Sequence, residues 1–179
     1  MIVSDSEGPT KKGAINDTLA IIYFMWMGGA AVIGWTAVVT TLDFFNFKYP
    51  DANVSFIFPI AVYVAQLLNT AVITKISMLM TYNARIITAL ICIIVATISL
   101  PIIANVLQGT SAGIQIMMVL LFLLGFNNTL CYASAGGLTS QLDGKYSAYL
   151  LIGLGVWNLA VVLSREVVFV IFRPASSKE

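Results

Sequence analysis

Read for hydropathy, the chain alternates long apolar runs with short polar breaks, and five of the runs are long enough to cross a bilayer. They cover about 19–41, 56–73, 85–106, 114–138 and 147–172. Roughly 20 helical residues at 1.5 Å each cross a hydrocarbon core of about 30 Å. Pro50 and Asp51 stop the first run, and the aromatics before them, Phe44, Phe45, Phe47 and Tyr49, suit a membrane–water boundary. Pro59 is expected in the first turn of span two, where a missing N–H costs little. The stretch from Lys75 to Arg85 reads as a loop or interfacial turn, and Pro101 is expected to kink span three. Gln108-Gly109-Thr110-Ser111 is a short, uncharged break, so spans three and four should be antiparallel neighbours, and Thr139 to Tyr146 reads as the loop before span five. Residues 1–18 and 173–179 read as polar tails.

Composition says what solvent surrounds these runs. Of the 179 residues, 59% are hydrophobic and 9% charged, against about a quarter charged in a soluble domain. A chain this apolar cannot hide its surface from water, so lipid is its solvent and the expected fold is an all-α membrane protein of about five transmembrane helices. Nine basic and eight acidic residues leave no basic face for nucleic acid. Lys11, Lys12, Lys75, Arg85 and Lys145 fall on the N-terminal side and Lys48, Arg173 and Lys178 on the other, which favours an inside N-terminus. The N-terminal tail has neither the order of a signal peptide nor the arginine-rich character of a transit peptide, so targeting is expected to come from the spans. Histidine is absent, and no nucleophile with a base, phosphate loop or metal cluster stands out. The reading is therefore no enzyme and no cofactor or metal, with bound lipids expected. Cys92 and Cys131 lie inside apolar runs and read as free buried thiols.

Within the spans, small and polar positions carry the remaining information. Gly125, Thr129, Ala133 and Gly137 recur every fourth residue and share a helix face, which lets another helix approach closely; Ala30 and Gly34 repeat the spacing in span one. Gln66, Thr70 and Thr74 share a face of span two with Asn69 beside it, and polar groups at such depth should face a bundle or cavity. Asn127 and Asn128, with Tyr132, either line a polar pocket or cross-link helices by hydrogen bonds. Arg165 and Glu166 are adjacent charges within span five, read either as a gating or coupling charge or as an interfacial ion pair eased by snorkelling.

The order of these features resembles the first half of an equilibrative nucleoside transporter, a major-facilitator-like fold. Gly28-Gly29 precedes Gly34-Trp35-Thr36 and then Phe44-Phe45, where the family has a glycine-containing run, a Pro-Trp-Asn and an aromatic pair. Asn128, Gly137 and Tyr146 take the places of an asparagine helix, glycine-rich turn and tyrosine, and Gly153-Leu154-Gly155 followed by Arg165 resembles the family's Gly-Gln-Gly signature and its arginine. Gly34 and Thr36 replace the proline and asparagine around Trp35, Tyr132 replaces a glutamine implicated in substrate binding, and Leu154 replaces the signature glutamine. The family's second half, with its substrate-binding aspartate and arginine, has no counterpart in this sequence.

Small packing residues thus persist better than polar substrate residues. The first expectation is accordingly a non-transporting accessory subunit packed into a larger membrane complex, such as a respiratory-chain assembly of the mitochondrial inner membrane. Its partners would be other membrane subunits and lipids, and its helix-packing residues Ala30, Gly34, Gly125, Thr129, Ala133, Gly137, Gly153 and Gly155. The alternative is facilitated transport of nucleosides or nucleobases, with two copies or a separate second half completing the path. The resemblance would then put Trp35 on the base, with Thr36, Gln66, Asn128 and Tyr132 around it.

Overall fold

The computed structural model describes residues 17–142 and 144–171, and it is helical almost throughout. Apart from Asp17 and Thr18, the two polar tails lie outside the described residues. Among the described residues seven helices follow one another: α1 (Asp17–Ala30), α2 (Ile33–Thr40), α3 (Leu42–Lys48), α4 (Val54–Leu79), α5 (Tyr82–Val106), α6 (Ser111–Ser140) and α7 (Lys145–Ile171). The last four are each long and apolar enough to cross a membrane, and α1 with α2, bent by 40° at the break between them, brings the number to five if the pair counts as one span. The chain is thus a multi-pass helical membrane protein.

Three details depart from the sequence reading. Span one is broken at Ala31 and Val32 rather than continuous, although no proline marks the break. Span two carries on as helix to Leu79, through most of the stretch read as a loop, because nothing between Lys75 and Leu79 interrupts the backbone ladder. Since α4 begins at Val54, Pro59 falls in its second turn, and the carbonyl of Ser55 is the one left without a helical N–H.

The helices pack as close pairs. α1 lies parallel to α7, α4 parallel to α6, and α5 antiparallel to α6 after the short turn at Gly109, whose φ of +70° is a left-handed conformation that glycine adopts freely. α1 and α7 cross where glycines face each other's backbone. A Cβ on Gly28 would strike the Leu150 carbonyl, and one on Gly153 would lie 2.7 Å from the Met25 Cα. Ring pairs extend the seam, Phe24 with Tyr146 at 5.4 Å and Trp26 with Trp157 at 4.5 Å. At its start, Lys145 reaches Asp17 at 2.7 Å and the Tyr146 hydroxyl donates to the same carboxylate at 2.8 Å. Two apolar clusters fill the bundle, one around Phe45, Phe58, Leu100 and Leu121, the other around Met27, Ile93, Leu130 and Leu150. Tyr49, buried after α3, donates to the Leu107 carbonyl at 2.7 Å, and burial pushes its phenol up, so it stays a donor.

Candidate functional site: a polar hollow beside the break in span one

Where α1 gives way to α2, the bend turns Ala31, Val32 and Trp35 toward α6. The space they border is a hollow of about 220 Å³, closed on its other sides by Gln66 of α4, by Asn128, Thr129 and Tyr132 of α6, and by Leu154 of α7. Four of the five residues named as substrate positions thus converge from three helices. Trp35 is half-buried and packs edge-on against Tyr63 at 5.9 Å. Tyr132 is exposed at the opening, while Asn128 is 5% exposed. The Asn128 amide oxygen is sealed from solvent and has no hydrogen-bond partner in the protein. No described lining residue carries a charge, so the hollow offers an aromatic face, amides and hydroxyls to a neutral molecule.

Thr36 is placed elsewhere. Its hydroxyl donates to the side-chain oxygen of Asn158 and ties α2 to α7 behind the hollow. Asn158 carries no motif, and its one signal in the sequence is an amide in mid-span. Asn69 faces into the bundle. It is fully buried and donates to the Phe126 carbonyl at 2.5 Å, so it, rather than Asn127 or Asn128, joins two helices. Asn127 donates to Leu123 of its own helix at 2.8 Å. Thr70 does likewise to Gln66 at 2.9 Å and is exposed with Thr74, so the polar face of span two is only partly turned inward.

The small-residue positions divide. A Cβ on Gly125 would lie 2.5 Å from the Val62 carbonyl, so α4 and α6 touch backbone to backbone there. At Gly137 the neighbour is the Tyr82 ring of α5, 2.8 Å away, while Thr129 lines the hollow and Ala133 is half-buried. The stripe therefore does not face one helix. Fourfold spacing advances about 40° per step on a 3.6-residue helix, so its ends point roughly 120° apart. Gly34 meets Thr97 and Ile93 of α5, and Ala30 is half-buried at an apolar groove beside Trp26. Gly155 is corrected: it is exposed, with nothing within 4 Å of where a Cβ would stand, because it lies two residues past Gly153 and faces away from α1.

Arg165 binds Asp43 of α3 at 2.5 Å and Glu166 at 3.2 Å, with 39% of its side chain exposed. It sits six residues before the end of α7, about 9 Å along the axis. Together with Thr36–Asn158, two turns deeper, this pair fastens α2 and α3 along α7.

With this geometry in view, the comparisons with known proteins are informative. The chain is 24% identical, over 148 residues, to equilibrative nucleotide transporter 8 of Arabidopsis thaliana. The match takes in 81% of this chain and 38% of that protein, so the chain spans well under half the length of the relative it matches. No family model matches, and no solved structure matches. The chain is a transporter-like membrane protein, distantly related to an equilibrative transporter.

Proposed function

We propose that the chain supplies one half of a facilitated transport path for nucleosides or nucleobases, completed by a second bundle that is either another copy or a separate half. The observation that carries this reading is the hollow, where Trp35, Gln66, Asn128 and Tyr132 meet beside a broken helix. Transporter sites typically lie at midplane between two halves and are built with discontinuous helices. The hollow's 220 Å³ falls below the roughly 300–1,000 Å³ of complete ligand pockets, which suits a half-site. Its uncharged walls favour a neutral nucleoside or base over a phosphorylated one. Trp35 would stack on the base and Asn128 would hydrogen-bond its edge.

The test is uptake of radiolabelled uridine, adenosine and adenine into proteoliposomes. Saturable flux that Trp35→Ala and Asn128→Leu each cut at least tenfold supports the reading; absence of saturable flux with every nucleoside and base removes it. A second reading, a non-transporting subunit of a larger membrane assembly, is favoured by Leu154, which puts an apolar wall where the resemblance expects an amide. Purification in mild detergent distinguishes the two, since that subunit would bring stoichiometric partners and show no flux.

A further inference from the structure

On another side of span one, away from the hollow, α2 and α3 stand off α5 around a cavity of about 440 Å³. Its walls are apolar, Ala37 and Val38 on one side, Leu100 and Pro101 on the other, with Phe44 and Phe45 across one end. Of its three polar side chains, Thr41 and Asn105 lie toward that same end, and the Thr97 hydroxyl lies at the inner one. Asn105 stands beside the end of α5, and the cavity reaches inward to Thr97. Those two turns span about 12 Å, most of one leaflet of a hydrocarbon core about 30 Å thick. A space this apolar, this long and entered at the level of the interface suits a hydrocarbon chain hanging from a headgroup.

The headgroup's charge can be read from the same end. Lys48 closes α3, with its ammonium 5.8 Å from the Phe44 ring centre and 3.0 Å from the side-chain oxygen of Gln108. Gln108 is neutral, and among the described residues no carboxylate pairs with Lys48; Asp43, the acid of α3, is taken by Arg165. A cation next to the phenylalanine that covers the crevice, with only a neutral partner, complements a phosphate.

We infer that this crevice binds an anionic phospholipid, with one acyl chain between α2 and α5 and the phosphate on Lys48. Protein in phosphatidylcholine nanodiscs, given increasing phosphatidylglycerol, should retain phosphatidylglycerol through extraction into detergent, as read by native mass spectrometry. Lys48→Gln should lower the preference for the anionic lipid roughly fivefold, the effect of one lysine at an anionic surface. Ala37→Phe, which fills the crevice, should abolish retention of either lipid, while Ile98→Phe on the exposed face of α5 should leave it unchanged. If Ala37→Phe does not fold, Phe44→Trp provides a second readout, because the quenching it adds over wild type, whose Trp26, Trp35 and Trp157 set the background, should be larger with brominated-chain phosphatidylglycerol than with brominated phosphatidylcholine. Equal retention of the two lipids by the wild type, or equal quenching by both, overturns the inference.

Discussion

Replacing Gly153 by alanine adds one methyl group at the tightest crossing in the bundle. That methyl would sit 2.7 Å from the Met25 Cα and carbonyl carbon and nearer still to its oxygen, where ordinary contact begins near 3.4 Å. The obstacle is backbone, which cannot rotate aside, so α1 and α7 must part. A gap of 0.5–1 Å forfeits about a quarter to a half of each dispersion contact along a seam. That seam includes Phe24 on Tyr146, Trp26 on Trp157 and Gly28 on Leu150. Overpacking of this kind typically costs about 1–3 kcal/mol. At roughly 2–4 °C per kcal/mol for a chain of this length, the midpoint should fall by several degrees. Cys131 is a free thiol with no exposed surface, so in a Cys92→Ser background, which removes the partly exposed second thiol, a thiol-reactive dye followed during heating reports unfolding. Gly155→Ala is the matched control two residues away. Its new methyl meets open space, and alanine's better helix propensity is worth at most about 1 kcal/mol. A midpoint for Gly153→Ala equal to wild type, or an equal fall for Gly155→Ala, would show that the crossing is not held by backbone contact.

Two other perturbations follow from the same geometry. The Arg165–Asp43 pair is substantially exposed, so a double-mutant cycle with Arg165→Met and Asp43→Asn should give a coupling of no more than about 1 kcal/mol; a coupling several times larger would mean the pair is desolvated in the membrane. Asn69→Leu removes the side-chain bond between α4 and α6 and should cost about 0.6–1.7 kcal/mol, measured by the same thiol assay, with no loss as the contrary result.

The bundle was legible because lipid imposes one simple rule, a long apolar run per crossing, and α5, α6 and α7 each begin and end within three residues of their expected spans. What that rule does not encode was missed. The break at Ala31 and Val32 has no local marker in the sequence, and α2 beyond it still packs chiefly on α7. Gly153 and Gly155 look alike in sequence, yet two residues are about 200° on a helix, so only one can face α1. The hollow was partly legible for a different reason: Trp35, Gln66, Asn128 and Tyr132 stand out chemically in an apolar chain. Ala31 and Val32 do not, and only folding shows that they share the space. Asn158 and Thr36 illustrate the converse, polar residues that satisfy each other rather than face a cavity.

The α1–α7 seam bears on how the protein is made. Its two glycine surfaces come from the first and last described helices, so Gly28 enters the membrane long before Gly153 exists to cover it. During synthesis span one must wait with its smooth face toward lipid, while α4, α5 and α6 insert and can already pack on one another. The arrival of α7 completes the seat of span one, with Asp17 meeting Lys145 at one end and Asp43 meeting Arg165 toward the other. A chain stopped after α6 should therefore hold a packed core of three helices and a first span that lacks its closest backbone contact.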